Sequence, residues 1–140
     1  MKQVQLVVFI IWGALCSSLV LYAVMLSSMT FAPSQSAPSA MGQIIALIAV
    51  SAMALSFLMR RLLLGGFTTG ALGLDGPQQR GRFIAGHIVV FALSEGIGVL
   101  GFVNGILSNG QGDAWLPYIG LSLALMLLHI PLPSRFKPAA

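Results

Sequence analysis

Charge is the scarcest resource in this chain. Only 7% of its 140 residues are charged, seven basic and three acidic, where a soluble domain carries about 25%. A soluble fold with one greasy helix is therefore excluded. A nucleic-acid surface is excluded too, because no basic face with interleaved aromatics occurs. Cysteine is nearly absent: Cys16 is the sole one, so no intrachain disulfide forms, and its place inside an apolar run suits a small buried side chain. Lipid modification of Cys16 is disfavoured by the bulky Leu15 before it. No stretch of ten residues alternates at period two, which argues against a membrane β-barrel. There is no phosphate-binding glycine loop, no His/Cys metal spacing and no Ser/His/Asp set. The expectation is a protein that is not an enzyme and carries no metal or cofactor. His87 and His129 could bracket a haem, but two imidazoles alone are a weak haem signal.

What the chain has is apolar length. Hydrophobic residues make up 57% of it, gathered into runs at about 4–25, 44–64, 83–107 and 115–132, each close to the ~20 residues a membrane helix needs. The expected fold class is all-α: a polytopic membrane protein, a four-transmembrane-helix bundle forming a single membrane domain over residues 1–140. The link at 27–42 holds Ser, Pro, Thr and Ala without charge, the link at 65–82 is Gly-rich, and 108–113 reads as a tight turn. The first run, about 22 residues long, exceeds the 7–15 residue core of a signal peptide, so it is expected to be retained.

The few basic residues are placed asymmetrically. Lys2 precedes the first run, Arg60, Arg61, Arg80 and Arg82 flank the second link, and Arg135 and Lys137 follow the last run. With alternating helices all of them fall on one side. The positive-inside rule then puts both termini and the 65–82 link in the cytoplasm, in a cell inner membrane, and argues against dual topology. Trp115 and Tyr118 suit the outer interface, and His129, just before Pro131, suits a snorkelling position at the inner one.

Small residues recur at helical spacing: Ser94, Gly98, Gly101 and Gly105 on the third run, an Ala/Ser stripe on the second, and Gly13 with Ser17 on the first. In lipid such stripes let backbones approach. They imply either tight packing within one bundle or an array of copies, so the partners expected are the lipid bilayer and further copies or other membrane subunits.

The strongest functional candidate is Glu95, near the centre of the third run. An acidic side chain at mid-span costs roughly 2.5–3.5 kcal/mol to insert, and low dielectric favours its neutral form. A carboxyl that switches between protonated and ionised states there is what a proton or cation carrier requires. The bland alternative is a protonated carboxyl acting as an interhelical clasp. Ser94, beside it, is a secondary candidate for the ion site. His87 lies two turns earlier, about 12 Å nearer the cytoplasm, and is a possible proton relay or an interfacial histidine bonded to a backbone acceptor. Asn104 reads as hydrogen-bond glue.

The link Asp75-Gly76-Pro77-Gln78-Gln79-Arg80 and the helix Glu95-Gly96-Ile97-Gly98-Val99-Leu100-Gly101-Phe102-Val103 resemble the c-type proteolipids of rotary ATPases over roughly residues 42–108. In that family a polar cytoplasmic loop joins two helices, and the second bears a mid-membrane carboxylate followed by a glycine-containing pattern. The resemblance implies that Glu95 is the ion-carrying carboxylate. The first and fourth helices are additions to that plan. The functional expectation is a small membrane subunit binding or translocating protons or cations. The alternatives are a non-catalytic scaffold subunit of a larger membrane complex and a stand-alone four-helix drug-efflux transporter.

Overall fold

The computed structural model describes residues 2–30, 39–74 and 76–132, and all its regular elements are helical. Helix α1 is Lys2–Ser28 and α2 is Ser39–Met59. A π-helical turn, Arg60–Leu64, leads from α2 into the short α3, Gly65–Thr69. Helix α4 is Pro77–Leu107 and α5 is Gly112–Leu128. Arg135 and Lys137, used above for orientation, lie outside the described residues.

Serine is a weak helix former because its hydroxyl competes for backbone groups. Here the competition is settled locally. The hydroxyls of Ser17, Ser51 and Ser56 donate to carbonyls three or four residues earlier, at 2.8–2.9 Å. Each polar group is satisfied within its own helix, as an apolar surrounding demands.

Three helical stretches are long and apolar enough to cross a membrane: Gln3–Ser28, Ala40–Thr69 and Pro77–Leu107. Helix α5, at 17 residues, rises only about 25 Å against a hydrocarbon core of ~30 Å. Large apolar side chains cover much of the outer surface of the helices, with Leu47 68% and Leu62 64% exposed. Water would not tolerate such a surface, and lipid would; the chain is a membrane protein by this measure.

The expected link at 65–82 is much shorter than its composition implied. Helix continues through the π turn to Thr69 and resumes at Pro77, leaving 70–76 as the connection. Gly70 ends α3 in the left-handed region at φ 82°, where a side chain would be strained, and the Leu72 amide donates back to the Gly66 carbonyl. Pro77 then starts α4 at the one helical position where a missing N–H costs nothing. The polar Gln78-Gln79-Arg80-Gly81-Arg82 segment, read as loop, is the first turn and a half of α4. A tight turn follows α4 as expected, but it spans 108–111, since Gly112 and Asp113 already belong to α5. Asn109 takes φ 55°, the Gly110 amide reaches back to the Gly105 carbonyl, and the Asn109 amide to that of Ile106. That pair of bonds is a Schellman closure of α4.

Helix α4 is the hub. Of its most apolar window 44% is buried, against 11% for the first span and 17% for the second, and α1, α2 and α5 all pack on it. The main core joins Val8 and Leu19 of α1, Leu64, Phe67 of α3, Phe83, Val90 and Phe91 of α4, and Met126 of α5. The Phe67 and Phe83 rings meet edge to face at 5.3 Å. Trp12 ties α1 to α5 by donating its indole N–H to the Met126 carbonyl at 2.8 Å.

The glycine stripe is used inside this chain. A β-carbon on Gly98 would strike Leu19 and Ser122. One on Gly101 would lie 2.5 Å from Tyr118 Cβ and 3.2 Å from the Trp115 carbonyl, and one on Gly105 would lie 2.8 Å from Leu26. All three glycines are buried. They bring α1 and α5 onto α4 and do not form an open face for a second copy. Trp115 is 7% exposed and packs on Gly105 with Leu26 and Ile119.

Candidate functional site

Glu95 projects from the middle of α4 toward α1 and is half-buried. The Ser18 hydroxyl lies 2.8 Å from its Oε1 and the Tyr22 hydroxyl 3.4 Å from the same atom. Ser18 and Tyr22 are one helical turn apart on α1, so they share a face. The Tyr22 ring is held against Phe102, centroids 5.2 Å apart, which fixes where its hydroxyl points. The Ser18 hydroxyl is also 2.7 Å from the Leu15 carbonyl, so its single proton has two acceptors to choose between.

The two carboxyl oxygens are therefore unlike. Oε1 is fixed by hydroxyl donors, whereas among the described residues no donor reaches Oε2. A neutral carboxyl with its proton on Oε2 satisfies Oε1 as a carbonyl acceptor. An ionised carboxyl keeps the same two donors and requires water, a cation or a partner chain at Oε2.

Ser94 does not join this site. One residue along an α-helix turns by about 100°, and Ser94 points the other way, fully buried. Its hydroxyl donates to the Val90 carbonyl at 2.9 Å and lies 3.1 Å from His129 Nδ1, while the Ser122 hydroxyl donates to the Ser94 carbonyl at 2.6 Å. Ser94 is thus a link between α4 and the end of α5. His129 is correspondingly not a snorkelling residue: it is 3% exposed, pinned by Ser94 and by an edge contact with Phe57 at 5.4 Å.

His87 is 2% exposed, with Nδ1 at 2.9 Å from the Phe83 carbonyl one turn earlier, away from Glu95. Its ring sits between Phe83 and Phe91, at 4.4 and 5.6 Å. The imidazole thus meets a backbone acceptor and is buried between two rings. His87 and His129 do converge, with Arg60 and Thr68, on one void of about 10 Å³. That is room for a single water and not for a porphyrin. Among the described residues no group of three His, Cys, Asp or Glu side chains gathers as a metal site would require. Asn104 is glue as expected, its amide donating to the Ala114 carbonyl at 2.6 Å.

Ser18 and Tyr22 are hydrogen-bond partners of Glu95 that residue-by-residue reading missed. A signal existed. Both α1 and α4 begin at a basic end, and Ser18 stands 16 residues past Lys2 where Glu95 stands 13 past Arg82, a difference of less than one helical turn. Polar side chains at matching depth, on one face of a neighbouring helix, are natural partners for a mid-span carboxyl.

Comparison with known protein families, with curated proteins and with solved structures gave no match to this chain.

Proposed function

We propose that this is a small, non-enzymatic membrane subunit that takes up and releases a proton or small cation at Glu95, in the manner its resemblance to c-type proteolipids implies. The observation that supports it is the asymmetric carboxyl: Oε1 held by Ser18 and Tyr22, Oε2 without a donor among the described residues. With a proton on Oε2 the site is neutral and compatible with lipid. Loss of that proton creates a charge that needs an aqueous path or a basic group, supplied by another copy or a different subunit. For a metal cation such as sodium, the Ser18 and Tyr22 oxygens offer ligands beside the carboxylate once their protons turn away.

In this proposal the chain forms a four-helix bundle in the inner membrane with both termini and residues 70–76 cytoplasmic. Helix α5 completes its crossing with Ile130–Leu132. The basic residues at one end support that orientation.

A second function, scaffold subunit, has an observation of its own: Ser18 and Tyr22 tie α1 to α4 through Glu95, which is what a clasp does. Carbodiimide labelling separates the two. It reacts with a protonated carboxyl in an apolar site, so labelling of Glu95 in native membranes, slowed by raising pH or by sodium, supports ion handling. If Glu95→Gln leaves transport by the assembled complex intact, Glu95 is a clasp and the ion-carrier proposal fails.

A further inference from the structure

The cytoplasm-facing end, as oriented above, carries a feature unrelated to Glu95. Where α2 gives way to the π turn and α3, a cleft of about 720 Å³ opens at the surface. Phe57 supplies an aromatic part of its lining, Arg60 and Arg61 the charged part, and Gly65, Gly66, Thr68 and Thr69 the rest. The volume falls within the range of small-ligand sites, roughly 300–1,000 Å³. π-Helical turns are rare and concentrate at functional sites, and this one carries both arginines in succession.

The chemistry of the cleft is one-sided. Arg61 is exposed. Arg60 is held in place by donating Nη1 to the Leu128 carbonyl at 3.1 Å, at the end of α5. Thr68 and Thr69 turn their hydroxyls onto the Gly65 and Gly66 carbonyls, which keeps the rim compact. Among the described residues the acidic side chains lie elsewhere: Glu95 in mid-helix, and Asp113 in the first turn of α5, at the opposite end of that helix from Leu128. The cleft also adjoins the lipid-facing surface, since Leu58 and Leu62 on the same stretch are 50% and 64% exposed. A ligand here meets two guanidinium groups at its head and hydrocarbon along its side.

We propose that this cleft binds the phosphate headgroup of an anionic phospholipid, with the guanidinium groups of Arg60 and Arg61 on the phosphate and the glycerol and upper acyl chains against Phe57. Basic pockets at the inner face of membrane helices recognise headgroups in this way, and guanidinium is the side chain best shaped for phosphate.

Gly65 supplies a direct test. Its backbone is helical, φ −55° and ψ −42°, and a β-carbon on it would meet nothing within 4 Å. Gly65→Phe therefore starts its side chain in open space on the cleft lining, without a clash at the β-carbon. The full-length protein is reconstituted in phosphatidylcholine nanodiscs containing phosphatidylglycerol, and lipid retained on release is counted by native mass spectrometry. Wild type is expected to retain phosphatidylglycerol over phosphatidylcholine. G65F is expected to abolish that preference. R61Q is expected to weaken it about fivefold, from ~1 kcal/mol per basic side chain near the membrane surface. R82Q, on exposed α4 outside the cleft, is expected to leave it unchanged. Retention by G65F equal to wild type overturns the proposal. Equal losses in R82Q and R61Q overturn it in favour of diffuse surface charge. Displacement of the lipid by inorganic phosphate at matched concentration overturns it in favour of a soluble anion site.

Discussion

At the scale of single residues, the chain shows how a polar atom survives in an apolar solvent. Every hydroxyl described above returns a proton to a carbonyl or a carboxyl, because an unmade hydrogen bond costs about 1–3 kcal/mol where water is absent. Glu95 is the extreme case, and Ser18 is its closest donor. Ser18→Ala should lower stability in detergent by roughly 1 kcal/mol, read as a fall in unfolding midpoint. Tyr22→Phe should cost less, since its oxygen stands at 3.4 Å, a distance at which a hydrogen bond is weak. A double-mutant cycle of Ser18→Ala with Glu95→Gln should show coupling between the two sites. Strict additivity would mean that the clasp does not form in solution.

At the scale of elements, packing on α4 decides which small residues matter. Gly96 and Gly101 lie on the same helix with similar sequence surroundings, yet a β-carbon at Gly96 meets nothing within 4 Å and one at Gly101 meets Tyr118 Cβ at 2.5 Å and a backbone oxygen at 3.2 Å. A backbone oxygen has no rotamer to move into. Gly101→Ala should therefore destabilise by about 1–3 kcal/mol through overpacking. Gly96→Ala should be neutral or gain up to about 1 kcal/mol from helix propensity. The same assay, thermal unfolding in detergent, reads both. The pair separates close helix approach from mere glycine content, which composition leaves undistinguished.

At the scale of the whole molecule, α4 is a central post with α1, α2 and α5 around it, and the described arginines gather at one end. Cys16 is the only thiol in the chain, so a Cys16→Ser background accepts single reporter cysteines. A cysteine at Gln78, at the start of α4, and one at Gln111, just beyond the α4 turn, should react with an impermeant maleimide from opposite faces of the membrane: Gln78 from the cytoplasm, Gln111 from outside. Reaction of both from the same face would remove the oriented bundle, and with it the placing of the basic cleft against the cytoplasmic leaflet.

Membrane character and the place of Glu95 within a long apolar helix follow from the amino-acid order alone, because hydropathy and helical rise are local quantities: about 20 apolar residues at 1.5 Å each need no partner to be recognised. The turn after α4 was legible for the same reason, through Asn109 and Gly110. The helix bounds inside 65–82 were not, because polar residues do not by themselves stop a helix; Gly70 ends α3 and Pro77 begins α4. Which hydroxyls meet Oε1, why Ser94 serves His129 and not Glu95, and where the glycine stripe is spent were decided only by tertiary structure. Each depends on the rotation of one helix against another, and that angle is fixed by the summed contacts of whole faces and is carried by no single residue.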